Sequence, residues 1–296
     1  MMDLLQLKYF MHIAENEHLN KTAELLRVTP STLSGALSRL EKELDTQLFD
    51  RIGRNIRLNR FGKIYYKYCQ EIFRALDNAN AELSEAKGEL DRSVSIGLTN
   101  PLLWVDAFSA LRSAHPDLRF RLISFDTGEE YSDIKDLDLI VASPDSLQEP
   151  ELLSRTLFHD EVLLAVSPNH PFAERTSIDL SEAKDEWFVS SLKNTSFRRF
   201  CDELCKQAGF LPKTQVECDY GLRAQMIQSE NMVGLITRHG ADSGLYKNTV
   251  FIPLSTPKCS RAQAVFWHKK QFQTATMETI KDFLVAYFKN YKPLER

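Results

Sequence analysis

The sequence lacks any apolar run long enough to cross a bilayer; no stretch approaches the ~18 consecutive apolar residues that a spanning helix needs. Residues 1–10 have no basic flank ahead of their apolar positions and no small-residue cleavage site. They read as the first helix of a mature cytoplasmic protein, not as a signal peptide. Cysteine is scarce: Cys69, Cys201, Cys205, Cys218 and Cys259 form an odd, scattered set, which excludes a disulfide framework and fits a reducing compartment. Cys201 and Cys205 stand four residues apart, on one side of an expected helix. A disulfide across one helical turn is strained, and no neighbouring His completes a metal set, so buried thiols are the better reading. Catalytic signatures are missing too: there is no G-x-S-x-G, H-E-x-x-H, G-x-G-x-x-G or phosphate loop, and His159, His170, His239 and His268 are dispersed. No catalytic residue, metal site or cofactor is expected. Nor is there an overall excess of positive charge, since the net charge is −4.

What is present is local. Between residues 51 and 67 six basic side chains, Arg51, Arg54, Arg57, Arg60, Lys63 and Lys67, occur with only neutral residues between them. Affinity for a polyanion depends on the phosphates neutralised at the contact, so this stripe matters more than the sign of the whole chain. The length of 296 residues, with 43% hydrophobic and 26% charged, suits a globular protein of two or three domains.

Residues 4–90 read as helix after helix. Leu4, Leu7, Met11 and Ala14 lie at helical spacing, and Asn20 is the expected N-cap of a second helix carrying Ala23 and Leu26. Thr29 and Pro30 mark the next start, with Leu33, Leu37, Leu40 and Leu44 as its buried stripe. Three such helices with a tight turn form a helix-turn-helix layout; Gly53 and the alternation after it predict a β-hairpin wing tipped with arginines. From Gly62 to Leu90, Tyr65, Cys69, Ile72, Leu76, Ala79, Leu83, Ala86 and Leu90 alternate by four and three, a heptad seam on a helix roughly 43 Å long. Two readings fit it: a dimer coiled coil, or a helix packed on its own domain.

After Asp91 the texture changes. Strands are expected at 93–98, 118–125, 137–142, 162–166, 187–190, 215–218, 233–236 and 263–267, and helices at 101–115, 197–208, 221–229 and 274–288. The alternation implies α/β lobes with mainly parallel sheets, and ligands in such folds bind at strand carboxyl ends or in the crevice between lobes.

The run Leu19 to Gly62, with Ala23, Leu33, Ser34, Leu40, Glu41, Leu44, Leu48, Phe49, Arg51, Gly53, Arg54 and Leu58 in order, resembles the helix-turn-helix and wing of the LysR-type transcriptional regulators. Weaker echoes follow at 166–172 and 231–236, so the resemblance covers essentially the whole chain. It implies an α/β protein with an N-terminal all-α winged helix-turn-helix, residues 1–61, and a linker helix for dimerisation, 62–90. It further implies an effector domain like a periplasmic binding protein, 91–296, with lobe I at about 91–161 and 268–296 and lobe II at about 162–267. The expected partners are double-stranded DNA, a small-molecule effector, a second copy or a tetramer, and RNA polymerase; no membrane partner is expected.

The chain departs from the family where Arg and Gln often stand on the recognition helix: here Gly35 and Ala36 are found. Base readout then falls to Ser31, Thr32, Ser34, Ser38 and Arg39, or to DNA shape read by the wing; Thr29 is a further expected DNA contact beside that face, and Arg51, Arg54 and Arg57 are expected on phosphates or in the minor groove. Gly35 either lets the backbone approach DNA closely or is a tolerated surface change. Tyr65, Cys69, Ile72, Leu76, Ala79 and Leu83 are the expected dimer contacts. In the effector domain Thr99 and Asn100 precede Pro101 at a helix start, and Ser196 and Phe197 occupy the matching place in lobe II, followed by Arg198 and Arg199. Two helix starts suit an anionic ligand. Thr127, Ser143 and Thr237 follow strands and are expected to line the same crevice. Singly each hydroxyl reads as an ordinary cap or loop; the implied cleft is what unites them. The rival class is a small-molecule binding protein or enzyme on the same lobes, which predicts no sequence-specific DNA binding.

Overall fold

The structure, a computed structural model, describes residues 2–52, 55–88, 93–125, 134, 137–229 and 231–291. It divides into two compact units, residues 1–88 and 89–296, so the break falls close to the expected end of the linker helix.

The first unit is built on helices α1 (Leu4–Asn16), α2 (Leu19–Leu26) and α3 (Pro30–Glu43). A capping box between Asp3 and Gln6 starts α1, which buries Leu7, Phe10 and Ile13. The expected stripe is therefore rotated: Leu4 is exposed, while Phe10 and Ile13 take the core positions beside Leu7. His18, not Asn20, caps α2, its Nδ1 accepting from the Lys21 amide. Thr29 caps α3 with Pro30 in its first turn, as the sequence predicts. Leu33, Ala36, Leu37 and Leu40 turn inward, so Ala36 is a core residue and not the surface substitution expected of it; its methyl fits where α3 runs close to its neighbours. A two-stranded antiparallel wing, β1 (Phe49–Ile52) and β2 (Asn55–Leu58), leads into the long α4 (Arg60–Ala86).

In the second unit β3 (Val94–Leu98) lies between β4 (Phe120–Ser124) and β5 (Leu139–Ala142), parallel to both. Every residue of β3 and β5 is buried, as strands covered on both faces require. A 3-10 turn, Pro101–Trp104, runs into α5 (Val105–Ala114). Two long strands, β6 (Leu152–Val166) and β12 (Ser260–His268), pair antiparallel and pass between the lobes. Lobe II adds β7 (Ile178–Asp179), β10 (Gly234–Thr237) and β11 (Val250–Thr256) to that sheet, and a separate parallel pair, β8 (Trp187–Ser191) with β9 (Lys213–Cys218). Its helices are α6 (Ser196–Gln207), α7 (Tyr220–Ser229) and the short α8 (Arg238–Asp242). Finally α9 (Ala275–Lys289) returns to the core of lobe I, where Met277, Ile280 and Leu284 meet Ile96, Leu111 and Val141.

Three expectations need correction. The main sheet is mixed, not mainly parallel, because β10, β11 and β12 all pair antiparallel to the shared strand β6. Strand β11 and helix α8 were not anticipated. The chain also re-enters lobe I before residue 268: Ala264, Val265 and Phe266 already pair with β5. A β-bulge between Gln263 and Ala264 marks the crossing, adding local twist where the strand changes lobes. Gly234 lets α7 pack closely on the sheet, since a Cβ there would sit 2.6 Å from the Ile227 Cδ1, which would have to shift.

Candidate functional site

In the first unit one face of α3 is polar and open. Ser31, Thr32, Ser34, Gly35, Ser38 and Arg39 are all exposed, as is Thr29 at its start. The Thr29 hydroxyl accepts from the Thr32 amide at 3.2 Å and bonds the hydroxyls of Ser31 and Thr32 at 2.8 Å each. The first turn thus presents a preorganised cluster of groups that both donate and accept. A Cβ at Gly35 would touch nothing within 4 Å, so no packing inside the unit requires glycine there.

The wing's register separates its basic residues. Arg51 stands opposite Ile56, and Arg57 opposite Asp50. Side chains alternate along a strand, so Arg51 shares one face with Phe49 and Leu58, while Arg57 is on the other face beside a carboxylate. Both are exposed; Arg54 lies outside the described residues.

Two residues of the expected seam of α4, Tyr65 and Cys69, turn toward the core of their own unit. Cys69 is 1% exposed and belongs to the core of the unit, and Tyr65 packs edge-on against Phe10 at 5.4 Å. Neither is free to meet a partner, because the N-terminal half of α4 must first close the helix-turn-helix core. The exposed apolar residues instead run Phe61, Ile64, Tyr68, Ile72, Leu76 and Leu83, with Ala79 also exposed. Their spacing of three and four places them along one side of the helix.

In the second unit a cavity of about 440 Å³ opens between the lobes. Thr99, Asn100, Ser196, Phe197 and Thr237 all line it. Ser143 does not: it is buried and donates to the Ala262 carbonyl at 2.7 Å, tying β5's end to β12. Thr127 lies outside the described residues. The capping role expected of Asn100 is not realised. Its backbone is left-handed (φ 56°) and its side chain makes no capping bond, whereas an N-cap needs an extended backbone. At the lobe II helix the cap is Thr195, whose hydroxyl accepts from the Arg198 amide. Arg198 pairs with Asp202 and Glu217, and Arg199 with the Asn194 carbonyl.

Two other buried arginines reach the cavity wall. Arg261, on β12, donates to both carboxylate oxygens of Asp145 in lobe I and to the Ser196 hydroxyl in lobe II at 2.8 Å, so it links the two lobes. Arg223, on α7, lies over the rings of Phe197 and Tyr220. Trp104, Gln263 and Tyr220 complete much of the lining. None of these was singled out from the sequence; an arginine two positions into a predicted helix carries no motif, and only its burial reveals it.

Behind the cavity, Asp160 on β6 accepts from the His239 amide at 2.9 Å, and the His239 Nε2 faces the Leu103 carbonyl at 2.6 Å, again joining lobes. Burial pushes the Asp160 carboxyl up to about 7 and holds the His239 imidazole below its ordinary value. The same desolvation pushes the Cys201 and Cys205 thiols up to about 12, so both stay protonated and unreactive near neutrality.

Comparison with known proteins agrees along the whole chain. Residues 4–63 match the model described as bacterial regulatory helix-turn-helix protein, lysR family, and residues 87–289 match the LysR substrate binding domain. The chain is 28% identical over 293 residues to the transcriptional dual regulator GltC of Bacillus subtilis (strain 168), covering 97% of this chain and 98% of that one. It is 25% identical over 299 residues to the HTH-type transcriptional regulator ShiR of Corynebacterium glutamicum (strain R), covering 97% and 100%. Among solved structures, a full-length OxyR variant from Pseudomonas aeruginosa superposes with a TM-score of 0.73 at 22% identity, over 96% of this chain and 95% of that one. Full-length CbnR complexed with its target DNA does so with a TM-score of 0.55 at 16% identity, over 96% and 100%. At these identities the structural likeness speaks for the fold alone.

Proposed function

The chain belongs to the LysR family of transcriptional regulators, and from that footing we propose that the polar face of α3 reads DNA while the interlobe cavity takes the small-molecule effector that controls it. The observation that carries the proposal is convergence: Thr99 and Asn100 from lobe I and Ser196, Phe197 and Thr237 from lobe II come round one cavity. Strands that pass between lobes flank it, so a ligand touching both walls changes their relative stability, and with it the population of closed and open forms.

On the DNA side, Thr29, Ser31, Thr32, Ser34, Ser38 and Arg39 contact base edges and phosphates in the major groove, and Gly35 lets the backbone come close. Two copies pair through Phe61, Ile64, Tyr68, Ile72, Leu76, Ala79 and Leu83 of α4, presenting two reading helices to a partly palindromic site. The reading carries a cytoplasmic location, because chromosomal DNA is the target, and no catalytic step. Selection from a random duplex pool tests it. The full chain should enrich a site with related half-sites, and Arg39→Ala should weaken binding to that site by roughly 1–3 kcal/mol. Enrichment of no sequence over background would remove the DNA-reading role and leave a ligand-binding protein.

A further inference from the structure

Among the described residues of the second unit three arginines are nearly buried, and two have carboxylate partners: Arg198 with Asp202 and Glu217, and Arg261 with Asp145. Arg223 has none among the described residues. It is 2% exposed; its Nη1 donates to the Ser191 hydroxyl at 2.6 Å, and the Tyr246 side chain is a further polar neighbour. Its Nε is enclosed without an acceptor. Its guanidinium carbon lies 5.1 Å from the centre of the Phe197 ring and 5.2 Å from that of Tyr220, both cavity-lining residues. The nearest acidic lining residue, Asp219, is exposed and caps its own helix, accepting from the Leu222 amide at 2.9 Å.

A guanidinium does not shed its proton, so burial cannot neutralise it as it does a lysine or a carboxyl. Ring faces and neighbouring hydroxyls offset part of the desolvation, but no carboxylate neutralises the charge, and a buried cation in that position is costly to the fold. The other two nearly buried arginines, Arg198 and Arg261, each sit with a carboxylate. Its absence at one arginine leaves a positive site in the wall of a cavity that sets Leu102, Leu103, Trp104, Phe125 and Leu192 beside polar groups such as Thr99, Ser196 and Gln263.

We propose that Arg223 is the charge-recognition residue of this cavity and that its ligand is a small organic carboxylate with an apolar body. The proposal rests on the effector reading of the cavity given above. The carboxylate meets the guanidinium from the cavity side, and the hydrocarbon part lies against the leucine and aromatic walls. A fixed hydrogen bond to Ser191 and ring contacts on Phe197 and Tyr220 hold the guanidinium in place before the ligand arrives.

Thermal unfolding of the full-length chain tests this with hexanoate, benzoate and phenylacetate against hexanamide, benzamide and phenylacetamide. At least one acid should raise the melting temperature while its amide does not. Arg223→Met should weaken binding of that acid roughly 30-fold or more. Without ligand, Arg223→Met should melt at or above the parent temperature, because a buried cation has been replaced by an apolar chain; a purely structural arginine would instead lower it. Arg223→Lys, which keeps the charge, should retain part of the acid response even if the Met variant folds poorly. Amides acting as well as acids, an undiminished response in Arg223→Met, or no response to any acid would overturn the proposal. Thr99→Trp, which fills the cavity, separates this from failure of the effector reading. If it blocks acid and amide alike, the cavity stands and only the charge assignment falls; if it blocks neither, both fall.

Discussion

The two described wing arginines should not contribute equally to DNA binding. Arg51 and Arg57 project from opposite faces of the hairpin, and Asp50 stands across from Arg57 in register. A phosphate approached by Arg57 is therefore also approached by a carboxylate, whereas Arg51 has Ile56 opposite it. On B-form DNA each neutralised phosphate adds about 0.9 to the slope of log affinity against log salt. A dimer presents two wings, so one contact per wing is worth about 1.8. Over a fourfold rise in salt, from ~50 to ~200 mM, that slope corresponds to about a 12-fold loss of affinity. Arg51→Ala should lower the slope by close to this amount, and Arg57→Ala by less than half of it. Asp50→Asn should then raise the contribution of Arg57 toward that of Arg51. Fluorescence anisotropy on a selected duplex at four or more salt concentrations gives the slopes. Equal changes in the two single variants, or no effect of Asp50→Asn, would refute the reasoning from strand register.

The position of the α4 seam gives a second outcome: Ile72→Asp combined with Leu76→Asp should convert the dimer to monomer in sedimentation. Cys69→Ser, at a core position, should instead leave assembly intact and lower stability by about 1–3 kcal/mol. A third concerns pH. Because burial raises the Asp160 carboxyl from 3.8 to about 7, the folded state holds that proton more tightly than the unfolded chain. Its contribution is fully present below about pH 4 and is lost as pH rises through 7, on the order of 2–4 kcal/mol at most. The depressed His239 acts in the opposite direction below its ordinary value of 6.5, so the parent's profile shows only the difference. Asp160→Asn should remove the decline between pH 5 and 8 in urea unfolding, and a parallel decline in that variant would show that Asp160 is not its source.

Much of the architecture was readable along the chain because the relevant signals are local. The Thr29–Pro30 start of α3, the apolar spacing of Leu33, Leu37 and Leu40, and the buried run of β5 each depend on residues within a turn or two of one another. Five residues of the cavity wall, Thr99, Asn100, Ser196, Phe197 and Thr237, were reachable in the same way, since ends of strands and starts of helices can be located from periodicity. What the chain order could not reveal depends on partners far away in sequence. Tyr65 and Cys69 fit the heptad as well as Ile72 does; only the core into which Phe10 projects decides that they face inward. Ala36 likewise reads as surface, and Ser143 as crevice lining, until α3 and β12 are seen against them. The sheet's direction was decided by β6 serving both lobes, a long-range pairing without local trace. Burial also separated three arginines that look alike in sequence, two of them neutralised by carboxylates and Arg223 left to face the cavity. Local steric preference and periodicity set the elements; desolvation and long-range pairing, which exist only once the chain is folded, set which of their side chains are left to act.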